Sequence, residues 1–234
     1  MSRRSSSLIA WIMTSISVVI MCGLGYWQIE RMIQKQHRLA SIAQKQSNGS
    51  LVLEQALAQD DPRDIDVTFV GTPDASRVLY LDNQIHQQQV GFDVVIPVNT
   101  NMGWLLVNYG WVPAPDMLRS LPSINIDTGL FTFSGVITFP SDNPLVKETN
   151  TRLSVFPALV QKLDIDAISE GLERQLLPFV IQLTSEDPAF VRVYQPVVMS
   201  PQKHLGYALQ WFGLAIAAAA IGGFAISKKG RRYE

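Results

Sequence analysis

Two long runs without a charged side chain constrain the fold of this 234-residue sequence more than any other feature. The first run extends from Leu8 to Trp27, and the second from Leu205 to Ile226. A helix needs about 20 mostly apolar residues to cross the hydrocarbon core of a bilayer. Both runs reach that length, so the sequence predicts two membrane-spanning helices with one large domain between them.

The first run has the alternative interpretation of a signal peptide, because Arg3 and Arg4 precede it. It is long for a signal peptide, however, and no small-x-small cleavage pattern follows it. Cys22 follows the bulky Met21, which disfavours lipoprotein processing. We therefore predict an uncleaved anchor. The single cysteine lies inside it, so the outer domain has no disulfide and no thiol ligand.

The basic residues near the second run predict the orientation. Lys228, Lys229, Arg231 and Arg232 follow this run, whereas only Lys203 directly precedes it. Cytoplasmic loops carry the excess of Lys and Arg. We therefore expect an inner (cell) membrane protein with two spans, both termini in the cytoplasm, and the main domain in the periplasm or the equivalent intermembrane space.

Between the runs, the hydrophobic pattern changes from helical to alternating near Val67. In 131-FTFSGVITF-139, for example, apolar residues alternate with Thr and Ser, which is typical of half-buried antiparallel strands. We predict a mainly β domain, an antiparallel barrel or sandwich with one or two helices, in addition to the two transmembrane helices. The predicted segments are a tail at 1–7, a transmembrane helix at 8–27, a helical stalk at 28–66, a β-rich domain at 67–203, a transmembrane helix at 204–226 and a basic tail at 227–234.

Further elements are predicted from local patterns. A helix capped by Asp166 is expected at 166–176, and a short helix at 51–59. A hairpin loop is expected at 99–103, where Gly103 can take a positive φ. The predicted strands cover 67–69, 77–82, 92–98, 104–109, 131–139, 178–183 and 190–198.

Motifs for catalysis are missing from the sequence. The three histidines have no metal-ligand spacing, and we find no nucleophile elbow and no phosphate-binding glycine loop. The net charge of −1 gives no reason to expect a nucleic-acid partner. We predict that the chain is not an enzyme, although motifs do not report a site assembled from distant positions.

The outer ends of the two spans meet at the same depth of the membrane. Aromatic residues concentrate in 25-GYWQIER-31 and 203-KHLGYALQW-211, where they suit the interfacial aromatic belt. They equally suit a binding site for a partner. The second span is also rich in small residues at spacing four, which favours close helix packing. These pairs are Gly213 with Ala217, Ala215 with Ala219, and Ala218 with Gly222.

His204 opens the second span and has two interpretations. It lies on one helix face with Trp211 and with either Tyr207 or Ala208. It is either an interfacial histidine with a structural hydrogen bond, or a neutral imidazole that ligates the iron of a heme at the membrane surface.

Three blocks of the sequence resemble the surfeit locus protein 1 family, a family of assembly factors for cytochrome c oxidase. They are 24-LGYWQIER-31, 104-WLLVNYGWVP-113 and 204-HLGYALQWFGLA-215. The resemblance implies a role in inserting heme a into subunit I of the oxidase, or in stabilising that subunit. The partners that the resemblance implies are subunit I and the lipid bilayer, with heme a synthase as a further candidate. A scaffold that holds an oxidase subunit without a cofactor is the alternative.

The resemblance also implies a candidate heme a site. The family's proposed ligand falls on His204, which would be a metal ligand for heme iron only. Trp27, Gln28, Tyr207 and Trp211 would complete the site. The middle block departs from the family, because Tyr109 stands where an Arg usually precedes the Gly-Trp pair.

Overall fold

The computed structural model describes residues 3–47, 49–116, 120–140, 146, 148, 153 and 155–231, with side chains described between residues 8 and 225. The chain forms two compact units, Met1–Ser41 with Val197–Glu234, and Ile42–Pro196. Its elements in order are α1 (Arg3–Ser47), β1 (Leu51–Val52), α2 (Leu53–Leu57), β2 (Asp66–Pro73), β3 (Leu79–His86), β4 (Gln89–Thr100), β5 (Gly103–Pro113), β6 (Phe131–Thr138), β7 (Ala158–Val160), α3 (Ile165–Leu172), β8 (Leu176–Leu183) and α4 (Pro201–Arg231).

Two helices, α1 and α4, are long and apolar enough to cross a membrane. Helix α1 has 45 residues, so it is roughly 68 Å long, more than twice the thickness of the hydrocarbon core. The predicted first span and the first part of the predicted stalk are therefore one continuous helix. Helix α4 begins at Pro201, three residues before the predicted start. Proline suits this first turn because its missing N–H would have no partner there anyway.

The β-strands of the second unit close into a barrel. Strands β2, β6, β8, β5 and β4 are neighbours in that order, and β4 pairs with β2 to complete the ring. Strands β1, β3 and β7 extend the sheet beyond it. Most pairings are antiparallel, whereas β1–β2, β3–β7 and β5–β8 are parallel. The predicted class, a mainly β domain with two membrane-spanning helices, is confirmed.

Strands β4 and β5 are buried on both faces. Phe92, Val94 and Ile96 of β4 point into the barrel core, whereas Val95 and Leu106 belong to a second core cluster. That second cluster includes Ile168 and Leu172 of α3 and Ala158 and Val160 of β7. Because each such side chain stabilises the fold by about 1.5–3 kcal/mol when fully buried, β4 and β5 form the rigid centre of this unit.

Helix α3 is shorter than predicted and has a different cap. The side chain of Asp164, not that of Asp166, accepts a hydrogen bond from the backbone N–H of Ala167, at 3.2 Å. Asp166 lies in the first turn, where the helix dipole favours an acidic residue. The helix ends because Glu173 takes a left-handed conformation with φ of 54°, after which the chain enters β8.

Other local predictions differ from the structure in extent. Residues 190–198 form no strand, because only Phe190 and Val191 make isolated bridges there. The helix predicted at 51–59 is reduced to α2, and the short strands β1 and β7 were not predicted. The hairpin between β4 and β5 is as expected, with Gly103 at a φ of +113°.

A bulge interrupts the pairing of β5 with β4. Val94 pairs with Gly110 and Val95 pairs with Asn108, so Tyr109 is the extra residue. Gly110 has a φ of +115°, and its N–H donates to Oδ1 of Asn108 at 2.7 Å. A Cβ atom at Gly110 would lie 2.6 Å from the carbonyl oxygen of Val191. Only glycine fits here, on grounds of both conformation and space.

We expect Gly110→Ala to destabilise the chain more than Gly103→Ala does. Both glycines have nearly the same positive φ, but a Cβ at Gly103 would meet nothing within 4 Å. Each substitution costs about 1 kcal/mol for the strained backbone, and Gly110→Ala costs roughly 1–3 kcal/mol more for the clash. Chemical unfolding of the detergent-solubilised chain measures both. Equal losses would show that the bulge tolerates a side chain.

Candidate functional site: a buried histidine between two apolar helices

In the helical unit, α1 and α4 each present a stripe of shielded residues with helical periodicity. Such a stripe is the face that a helix uses to pack against a neighbour. The two stripes touch at three points, described below, and their order shows that the helices are antiparallel. On α1 the stripe comprises Thr14, Ser17, Val18, Met21, Leu24, Gly25 and Gln28, and on α4 it comprises His204, Ala208, Trp211, Phe212, Ala215, Ala218 and Gly222.

Two glycines allow the helices to approach closely. A Cβ atom at Gly25 would lie 2.8 Å from the ring of Phe212. A Cβ atom at Gly222 would lie 2.5 Å from Cγ2 of Thr14. Small residues let helix backbones come together in a membrane, where van der Waals packing drives association. The pairing of α1 with α4 therefore depends on the absence of side chains at these two positions.

His204 lies on the same stripe, near the N-terminal end of α4. Its side chain is buried, with 7% exposed. Nδ1 of His204 lies 2.8 Å from Oε1 of Gln28. An amide oxygen only accepts hydrogen bonds, so Nδ1 carries a proton, and the neutral form of the ring has its lone pair on Nε2. Nε2 is buried, and it has no hydrogen-bond partner among the described residues.

This arrangement has the chemistry of a metal ligand with a supporting residue. Metal-ligating histidines usually donate their other N–H to an oxygen acceptor, which fixes the tautomer and the ring orientation. Gln28 does this for His204. The donor set therefore fits an axial ligand of heme iron. Because Nε2 is enclosed, a ligand reaches it only if surrounding side chains move.

The aromatic residues of the candidate site do not all converge on His204. Trp27 and Tyr207 are each 45% exposed, and the guanidinium of Arg31 lies 5.5 Å from the ring centre of Trp27. Trp211 is half-buried on the stripe. Ala208, rather than Tyr207, lies between His204 and Trp211 on the packed face, and it is fully buried. The structure thus joins Gln28 and His204 and leaves Trp27 and Tyr207 on the outer surface.

The small residues of α4 serve two different faces. Ala215 is buried on the stripe, and Gly222 lies against α1. Gly213 has open space around it, and Ala217 is exposed. The predicted packing motif therefore includes a second face that the described part of the chain does not cover. The sequence analysis did not single out Gly25 or Phe212. On α1, the Gly-x-x-Gln spacing contains both residues that contact α4 near His204, Gly25 and Gln28.

The described residues offer no metal site built from clustered side chains. No group of three or more His, Cys, Asp or Glu side chains there could hold a metal ion. Cys22 is a free, exposed cysteine on α1.

Comparison with known proteins identifies the family. The SURF1 family model matches residues 15–216, which is most of the chain. The chain belongs to the SURF1 family. The SURF1-like protein of Rickettsia felis is 27% identical over 218 residues, covering 88% of this chain and 92% of the relative. The SURF1-like protein of Rickettsia prowazekii is 26% identical over 215 residues, covering 87% of this chain and 84% of that relative.

The resemblance drawn from the three sequence blocks is thus confirmed. The matched region includes the bulge at Gly110 and the helix contacts at Gly25, Gln28, His204 and Phe212. The SURF1 family match therefore extends over the barrel, over α1 from residue 15 onward and over α4 as far as residue 216.

We expect Gly25→Ala to weaken the helix pair, whereas Gly23→Ala serves as its matched control. A Cβ at Gly25 collides with Phe212, but a Cβ at Gly23 meets nothing within 4 Å. Overpacking costs about 1–3 kcal/mol, so Gly25→Ala should lower the free energy of unfolding in detergent by that amount. Gly23→Ala should leave it unchanged or raise it slightly. The same result for both variants would contradict the close approach of the helices.

We also expect His204 to be a neutral Nδ1–H tautomer. ¹⁵N NMR of the histidine-labelled chain, with His204→Ala to assign the signals, distinguishes the two ring nitrogens. Gln28→Leu removes the acceptor, so the tautomer should shift toward Nε2–H. An Nε2–H tautomer in the unsubstituted chain would exclude Nε2 as a free lone pair.

Proposed function

We propose that this SURF1 family protein is a membrane-anchored assembly factor for heme-copper cytochrome c oxidase that assists heme a insertion into subunit I or stabilises that subunit. Family membership supports the general role in oxidase assembly. The observation that carries the proposal for heme is the buried Nε2 of His204, which lacks a hydrogen-bond partner among the described residues.

In this proposal, His204 holds the cofactor and Gln28 orients His204. Heme a would supply an iron atom with an axial position that an imidazole can fill. The hydrogen bond from Nδ1 to Gln28 keeps the lone pair on Nε2. Trp27 and Tyr207 offer exposed aromatic surface on the same two helices, which suits a largely apolar cofactor. Trp211 is half-buried on the face of α4 that carries His204.

The proposed location follows from the two spans and the basic C-terminal residues. Two helices of suitable length are present, and four Lys and Arg residues follow the apolar run of α4. The positive-inside rule then favours cytoplasmic termini and a periplasmic barrel in the inner membrane. The proposed partners are subunit I, heme a synthase and the lipid bilayer.

A scaffold without a cofactor is the second candidate function, and one observation favours it. Gly213 and Ala217 form a small-residue face on α4 that the described part of the chain leaves open. Small residues at spacing four are typical of faces that pack against another helix. A helix of an oxidase subunit would fit there. In that case His204 would serve as a polar contact that fixes the pairing of α1 with α4.

Two substitutions separate these functions in cells that lack the chain. The unsubstituted protein should restore the heme a band in the reduced-minus-oxidised spectrum of membranes. If heme is ligated, His204→Ala should lower the restored band about tenfold, whereas His37→Ala, on an exposed position of α1, should restore it fully. If the chain instead acts as a scaffold, Gly213→Leu should be the substitution that lowers the restored heme a band.

The protein level of each variant in the membrane is measured beside the spectrum. Full restoration by both His204→Ala and Gly213→Leu, at normal protein levels, would contradict both functions. Failure of the unsubstituted chain to restore the band would contradict a role in oxidase assembly.

A further inference from the structure

The middle sequence block, 104–113, has no part in the proposed heme site, and the structure shows what it builds. The β5 bulge opens a cavity of about 190 Å³ in the barrel unit. Its wall includes charged and amide side chains, and every lining residue belongs to the barrel unit. The residues that matter are Asp93, Asn108, Gly110, Gln182 and Arg192.

Arg192 lines this cavity and carries a buried, unsatisfied cationic donor, which an acceptor in the cavity reaches only if a neighbouring side chain moves. Its Nε donates to the carbonyl oxygen of Ser185 at 2.7 Å. Its Nη1 is buried without a hydrogen-bond partner among the described residues. The guanidinium lies against the bulge, because a Cβ at Gly110 would be only 3.1 Å from Nη1. The missing side chain at Gly110 is therefore what makes room for the charge.

The charge of Asp187 attracts Arg192, but the hydrogen bond of its carboxylate goes to the backbone. Oδ1 of Asp187 accepts from the N–H of Ala189 at 2.8 Å. Oδ2 of Asp93 accepts from Nδ2 of Asn108 at 2.9 Å. Burial lowers the pKa of Arg192, as expected for a cation that is partly removed from water. A buried cationic N–H without an acceptor costs free energy, so an acceptor from outside the chain would be stabilised there.

Asp93 limits which anion fits. Burial raises the pKa of Asp93, and the hydrogen bond from Asn108 only partly offsets this rise. In its ionised form Asp93 repels a second negative charge in the same cavity in proportion to that charge. A dianion such as phosphate is therefore disfavoured relative to a monoanion. The small volume excludes large ligands as well.

We propose that this cavity is a binding site for a single carboxylate, which accepts a charge-assisted hydrogen bond from Nη1 of Arg192. Gln182 supplies a further amide group on the same wall. The carboxylate comes either from a small free acid or from an acidic side chain of a partner polypeptide. This site lies in the barrel unit, and it does not depend on heme binding at His204.

Calorimetric titration of the full chain in detergent tests the proposal. The probes are acetate, a capped Ala-Glu-Ala tripeptide and inorganic phosphate. We expect acetate or the tripeptide to bind, with phosphate weaker than either. Tripeptide binding at least about tenfold tighter than acetate would identify a polypeptide source, whereas equal affinities would identify a free acid.

Substitutions assign the binding to the cavity. Arg192→Gln should weaken carboxylate binding at least about tenfold, Arg192→Lys should weaken it less, and Asp93→Asn should tighten it. Arg77→Gln is the matched control, because Arg77 is also half-buried and stacks on an aromatic ring, that of Phe156 at 4.8 Å. It should leave binding unchanged.

Several results would overturn the proposal. These are no carboxylate binding by the unsubstituted chain, phosphate binding tighter than acetate, or unchanged affinity in a folded Arg192→Gln variant. Thermal unfolding checks that each variant is folded. If Arg192→Gln does not fold, the Asp93→Asn variant decides, since a failure to tighten carboxylate binding would place the anion outside this cavity.

Discussion

The hydrogen bond between Gln28 and His204 orients a histidine that is buried between the two long helices. It places a proton on Nδ1, and Nε2 is left without a hydrogen-bond partner among the described residues. The bond forms only because the helices pack closely, and Gly25 under the ring of Phe212 permits that approach. A polar pair inside an apolar helix contact also sets the register of the two helices, as buried polar groups do in coiled coils. One contact thus links helix packing to ligand chemistry.

The barrel has its own local departure from regular structure. Strands β4 and β5 are the most buried elements of their unit, yet β5 carries the extra residue Tyr109 in the middle of its length. Burial raises the pKa of Tyr109 to about 12, so its hydroxyl stays protonated at neutral pH. The bulge interrupts the pairing of β5 with β4, and the guanidinium of Arg192 lies against Gly110 at this point. Bulges are common next to binding sites because they redirect side chains, and this one exposes a polar cavity in an otherwise apolar sheet.

Sequence patterns predicted the elements whose signal is local and strong. Uncharged runs of sufficient length gave both membrane helices, and alternation in 131–139 gave β6. The patterns did not give the cap of α3, since Asp164 and Asp166 are equally good caps by residue type and only the geometry selects one. They also missed β1 and β7, which have two and three residues and exist only through pairing with β2 and β3. For the site, spacing brought His204 and Gln28 to the same depth, but the hydrogen bond and the buried Nε2 depend on side-chain packing that no spacing encodes.

The most direct test of the central claim is the heme a content of the chain purified from cells that make heme a. Heme a should copurify with the unsubstituted protein, His204→Ala should abolish most of it, and Gln28→Leu should lower it about tenfold or more. His37→Ala should retain it in full. A folded, unsubstituted chain without heme, or a His204→Ala variant that keeps all of its heme, would contradict the account and leave the scaffold role of the helix pair in its place.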